Sequence, residues 1–388
     1  MRLFFRKKTF LTMIIVVLAF FAYLNFVYSP LIYELKDEYK NFTKTTIPIG
    51  LDSLSAKECG ECHVRIYEEW QTSMHAKAYT NPYFQAYLKK DDYHYSCYYC
   101  HTQLEDQIEF KIVGFIDDDP NRPILDLNEN FDRGLRDEGV TCATCHVANG
   151  MIYGPYGDAD APHPVEFAPK FRTTAVCEKC HEVPQSKFMF YKSNPCGTVD
   201  EYNNGPYKAK GITCQKCHMP SQLKTLTRSS KIFRQVGEHT FKGGHSKEMI
   251  KKALLIDVKK LGEKFELTVM NNGAGHAFPT GDPDRYVNII TKFYDYEGNI
   301  LQQELETFDR TILYYPIIIE FSDNRLGPLV EITYEYSGKI INDRAVRATV
   351  EIEYHILSDR AHKMLVEKYG LPEDTEKVIK IAPQTFAL

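Results

Sequence analysis

Ten of the eleven cysteines in this 388-residue chain fall into five Cys-x-x-Cys-His motifs. They are Cys59-Gly-Glu-Cys62-His63, Cys97-Tyr-Tyr-Cys100-His101, Cys142-Ala-Thr-Cys145-His146, Cys177-Glu-Lys-Cys180-His181 and Cys214-Gln-Lys-Cys217-His218. Two thiols three positions apart can hold zinc, close a disulfide or act as a redox pair. None of those roles needs histidine at the next position. With 13 histidines in the chain, five such placements by chance have a probability on the order of 10⁻⁸. The pattern is that of c-type haem attachment. The thiols reach the two vinyl groups along one porphyrin edge, and the adjacent histidine turns under the ring to ligate the iron. The sequence thus calls for five c-type haems. The ten cysteines are their thioether anchors, and His63, His101, His146, His181 and His218 are the proximal ligands.

Eight histidines remain. Electron-transfer haems are usually six-coordinate, and a second histidine keeps the potential low compared with methionine. His163 lies between two prolines in Ala161-Pro-His-Pro164, which stiffen its backbone. His239 and His245 flank Phe241-Lys-Gly-Gly244, whose glycines permit close approach to a flat cofactor. His276 sits in Asn271-Asn-Gly-Ala-Gly-His276-Ala-Phe-Pro-Thr-Gly281, a shaped loop that breaks a strand pattern. These four are candidate distal ligands, His276 reaching a haem from the other domain. His94, three residues before Cys97, has little reach. His355 and His362 fall on a predicted strand and helix and read as structural. Cys196 is the odd thiol, read as buried and inert, with a thiolate near a haem as the alternative. No residue is assigned a catalytic role.

The first cysteines of successive motifs are 38, 45, 35 and 37 residues apart. So little chain cannot wrap each haem separately, so the haems must pack together and form much of the core. Residues 51–250 are therefore expected to be a mostly helical or coil pentahaem domain. From 251 to 388 the pattern alternates with period two, as in Phe265, Leu267 and Val269, in Val287, Ile289 and Thr291, and in Val350, Ile352 and Tyr354. Such alternation predicts half-buried strands and a small antiparallel β-sandwich. Turn signals stand at Glu297-Gly-Asn299 and Ser337-Gly-Lys339. A helix is expected over about Ser358–Tyr369, stopped by Gly370.

Arg2, Arg6, Lys7 and Lys8 precede an apolar run from Thr9 to Tyr28, long enough for one transmembrane helix. Residues 1–30 are expected to be an uncleaved membrane anchor and 31–50 a tether. The basic flank places the amino terminus in the cytoplasm and the bulk of the chain in the bacterial periplasm. A net charge of −5 argues against a nucleic-acid partner.

Cys59-x-x-Cys62-His63 followed by Trp70-x-x-Ser73-Met74-His75-Ala76 resembles the first haem segment of multihaem c-type cytochromes. That superfamily holds pentahaem nitrite reductase, hydroxylamine oxidoreductase and the nitrifiers' tetrahaem cytochrome. Glu138-Gly-Val-Thr-Cys142 and Gly211-Ile-Thr-Cys214, with Met219-Pro220 after the fifth motif, resemble its later segments. The resemblance covers roughly Leu51–His245 and implies that His75 is a distal ligand. No Cys-x-x-Cys-Lys occurs, although nitrite reductases of that superfamily carry one at their catalytic haem. The helix ahead of the haems is similar to that of membrane-anchored quinol-oxidising cytochromes. Two functions compete. The favoured one is electron transfer in a respiratory chain to redox partner proteins, with membrane quinol as a candidate donor. The other is oxidation or reduction of a small nitrogen or sulfur compound at one open haem.

Overall fold

A computed structural model describes residues 10–20, 46–119, 122–157, 161–182, 196–313 and 319–388. About 32% of the structure is helical and 31% is strand, so the chain is not mostly helical. In the first half, the short helices Ser96–His101, Cys142–His146, Ala175–His181 and Cys214–His218 each carry a whole motif, while Ala56–Gly60 carries Cys59, with Cys62 and His63 just beyond its end. Between and after them lie small sheets that the motif spacing did not foretell. Phe110–Phe115 pairs with Pro123–Leu127, and Ser221–Thr225 pairs with Phe233–Gly237. A third sheet joins Val147–Ala148, Met151–Gly154 and Val165–Phe167. A hairpin satisfies its backbone groups without a large apolar face.

The expected membrane-spanning helix is corrected as well. Residues 10–20 of the apolar run are helical. Among the described residues no helix is long and apolar enough to cross a membrane. Residues 9 and 21–28 of the apolar run, and 31–45 of the expected tether, lie outside the described residues. A single-pass inner-membrane placement is therefore not supported.

The second half contains nine strands among the described residues: β1 (Leu254–Leu261), β2 (Lys264–Asn271), β3 (Tyr286–Tyr294), β4 (Ile300–Phe308), β5 (Arg310–Leu313), β6 (Ile319–Asp323), β7 (Glu331–Tyr336), β8 (Arg347–His355) and β9 (Val378–Ala387). One antiparallel sheet runs β4-β3-β8-β9, another runs β7-β2-β1, and β5 pairs with β6. Every second residue of β2, β3 and β8 is buried. The inner faces of the two larger sheets share one apolar cluster, with the Phe265 and Phe293 rings 5.0 Å apart across it. The β3–β4 turn uses Gly298 at φ +90°, where a side chain would be strained, and the Asp295 carboxylate accepts from Asn299 N at 2.8 Å. Ser337-Gly338 leads into a helix, Lys339–Arg344, rather than a hairpin turn. The helix Asp359–Tyr369 is capped by the Ser358 hydroxyl and ends at left-handed Gly370. Phe293 is fully buried between the sheets. Phe293→Ala should cost about 3–5 kcal/mol, read as a lower denaturant midpoint at unchanged slope.

The halves are closely joined. The hydroxyls of Tyr83, Tyr87 and Tyr207 donate to Glu376 O (3.0 Å), Asp284 Oδ2 (2.6 Å) and Asn272 O (2.7 Å).

Candidate haem sites

Each motif occupies about one helical turn. Thiols at i and i+3 then lie on one face, with the histidine just beyond. Contacts between motifs come from residues outside them. The Glu138 carboxylate accepts from Ala56 N at 2.8 Å and Thr141 Oγ1 at 2.9 Å, and also from the Ser55 hydroxyl. It therefore ties the start of the first motif helix to the start of the third. Gly139, at φ +64°, presses against the next segment. A Cβ there would stand 2.8 Å from His75 O and 2.9 Å from Ala78 N. Val140 N donates to His75 O at 3.0 Å, and Trp70 Nε1 donates to Val140 O at 2.9 Å. The Glu138-Gly-Val-Thr stretch is thus a clamp that aims His75.

Two closer contacts join further motifs. Cys100 Sγ lies 4.0 Å from Cys180 O, and Gln215 Nε2, inside the fifth motif, donates to Thr173 O, just ahead of the fourth motif's helix, at 2.5 Å. The first and third sites are adjacent, and the fourth adjoins the second and the fifth.

Four motif histidines each face a second histidine. The ring centres of His63 and His163 are 6.3 Å apart, those of His75 and His181 6.3 Å, those of His146 and His239 6.4 Å, and those of His218 and His276 6.3 Å. An imidazole nitrogen binds such a metal at about 2 Å, so two rings on opposite sides of one iron have centres roughly 6 Å apart. The four gaps fit a metal held between two histidines. The second nitrogen is occupied at most of them. Nδ1 bonds a backbone carbonyl in His63 (Leu226 O, 2.9 Å), His146 (Tyr153 O, 2.7 Å), His218 (Lys242 O, 2.6 Å), His239 (Gly237 O, 2.9 Å) and His276 (Ala277 O, 2.8 Å). Such a bond makes Nδ1 the donor and leaves the Nε2 lone pair for iron. Burial, helped by neighbouring histidines, pushes His75 down to about 3, and burial pushes His239 down to about 4. Both rings are therefore neutral, the ligating form.

His101 differs. Its Nδ1 bonds Ala78 O at 2.7 Å, but its ring stacks on Phe84, with centres 3.8 Å apart and planes 12° apart. No histidine faces it among the described residues, which include all thirteen. His245, expected as a distal ligand, is brought opposite no motif histidine. The residue keeps substantial solvent exposure, and partial desolvation together with the nearby Arg285 and Lys77 charges pushes its ring down to about 4. His94 bonds Ser96 Oγ at 2.7 Å, and His355 stacks on Tyr286 at 4.0 Å. Burial pushes the Cys196 thiol up to about 12, which opposes a thiolate there. Sequence reasoning missed Phe84, and also Phe171, which stacks on His146 at 4.6 Å. Nothing distinguishes these two in sequence among 23 phenylalanines.

The fold and the sites define a multihaem c-type cytochrome, and the comparisons with known proteins support it. Residues 58–115 match the family described as cytochrome c554 and c-prime. The fold as a whole is similar to that of a penta-haem cytochrome c552 from Thermochromatium tepidum. The identity is 20% and the TM-score 0.64, over 88% of this chain and 100% of that one. A match to a β-glucuronidase from Bacteroides uniformis carries no argument, with 10% identity, a TM-score of 0.16, and 35% of this chain against 13% of that one. No curated protein matches the chain.

Proposed function

We propose that this protein carries electrons in a respiratory chain through five covalently attached haems and exchanges them with redox partner proteins. The ten motif cysteines hold the haems, and the five motif histidines are the proximal ligands. His163, His75, His239 and His276 close the far side at the first, fourth, third and fifth motifs. The observation that carries this reading is the set of four histidine pairs at 6.3–6.4 Å. Each bound haem would supply a one-electron iron couple whose potential its ligands and surroundings set. The protein holds the rings in place, excludes water and keeps neighbouring sites close. The contacts that join motifs 1 and 3 through Glu138, 2 and 4 at Cys100, and 4 and 5 through Gln215 support transfer within the set. Intact mass should show five haem additions, and a reductive titration should take up five electrons per chain. Fewer haems, or haems that cannot be reversibly reduced, would contradict this proposal.

A second reading is favoured by one observation, the absence of a facing histidine at His101. That site could take a small nitrogen or sulfur compound on the open side of its iron. Cyanide, nitrite or hydroxylamine should then alter the spectrum of one haem and leave the other four unchanged. If none of them perturbs any haem, the second reading fails and the carrier alone remains.

A further inference from the structure

Two ion pairs outside the motifs, one buried on both sides and one with a buried lysine and a half-buried glutamate, share a design. Glu69, on the helix Val64–Gln71, pairs one carboxylate oxygen with Lys224, whose side chain is 2% exposed. Its other oxygen accepts the backbone N–H of His239 at 3.0 Å. Glu201, on the helix Thr198–Asn203, pairs Oε1 with Arg325 Nη1 at 2.7 Å, both side chains being buried. Its Oε2 accepts from Ala277 N at 3.2 Å and from the Thr280 hydroxyl at 2.6 Å. In both cases a cation takes one oxygen, and the segment that presents a distal histidine takes the other.

Burying such a pair costs more than apolar packing of the same volume, so fold stability alone does not explain it twice. A carboxylate beside a ligand favours the more positive, oxidised state of an iron centre. We infer that Glu69 and Glu201 are positioning residues that aim His239 and His276 and hold down the potentials of the two haem sites those histidines close. This rests on the proposed ligation. Arg325 also pairs with Asp323, so removing the Glu201 charge leaves the arginine anchored and the site more positive.

The test is a reductive titration of the haem-loaded protein, followed by optical and low-temperature EPR spectra, on Glu69→Gln and Glu201→Gln. Each is expected to raise one midpoint potential, a different one in each variant, and to change the g values of one low-spin centre. The double variant Glu69→Gln/Lys224→Met removes both charges and should bring the potential back toward wild type. Should a glutamine variant lose haem, Glu69→Asp and Glu201→Asp, which keep the charge but draw it back, are read instead. Altered g values at one centre uphold the inference. Five haems with unmoved potentials and wild-type spectra overturn it. Fewer than five haems in the wild-type protein overturn the underlying ligation instead.

Discussion

Made without covalent haem, through serine at all ten motif cysteines, the chain is expected to lose protection over roughly residues 51–245 and to keep its strands beyond 250. The packing of the two halves differs sharply. The main apolar cluster draws on Phe265, Leu267, Val287, Ile289, Phe293, Val350 and Ile352 and sits almost wholly in the second half. The motif-bearing half has a cluster of just Leu54, Leu104, Leu135 and Ala143, with Val147 against it. The other buried apolar side chains of this half, such as Trp70, Leu88, Tyr99 and Ile108, lie outside that cluster, and so small and scattered a core cannot offset the conformational entropy of some 200 residues, at roughly 1–2 kcal/mol each. On the proposed reading, the porphyrins supply the missing apolar surface. Limited proteolysis and hydrogen exchange check this. The expected product is a resistant fragment from near Lys247 onward, with amide protection in the first half close to that of an unfolded chain. Slow exchange across both halves of the haem-free protein would show a core independent of haem.

His276→Ala carries the second large effect. The His276 ring faces His218 with planes 15° apart. Its loop is locked on both sides: Asn271 Nδ2 donates to His276 O at 2.9 Å and to Leu326 O at 3.0 Å, and the Glu201 carboxylate holds Ala277 and Thr280. On the proposed ligation, alanine removes the sixth ligand of one iron and leaves a cavity between the halves. One haem in five should become high spin, and its potential should rise because a histidine ligand favours the oxidised iron. The cavity should cost on the order of 2–5 kcal/mol, seen as a lower unfolding midpoint. Added imidazole should restore the low-spin spectrum but not the stability, since it refills the ligand and not the loop. Five unchanged low-spin haems in His276→Ala would remove His276 from the ligand set.

The motifs were legible because thioether chemistry is local: two thiols and a histidine must share one turn. The strand alternation of β2, β3 and β8 was legible for the same reason, since one sheet face is wet and the other dry. The pairing of histidines was not. His75 follows the first motif by twelve residues yet faces His181 of the fourth, because Gly139 and Val140 bring the third motif's segment against it. His245 carried the same local signals as His239, glycines and a nearby motif, and still faces no motif histidine. The apolar run at the amino terminus matched a membrane span in length and composition, but no helix among the described residues is long and apolar enough to cross a membrane. Glu69 and Glu201 gave no signal, since their meaning depends on Lys224 and Arg325, more than a hundred residues further along the chain.

Low-temperature EPR with magnetic circular dichroism on the fully oxidised, haem-loaded protein tests the central claim most directly, because it counts irons by their axial ligands. Four bis-histidine low-spin centres are expected, from the pairs His63–His163, His75–His181, His146–His239 and His218–His276, with a fifth, distinct centre at His101 that lacks a second histidine. Fewer than four bis-histidine centres, or five alike, would contradict the account.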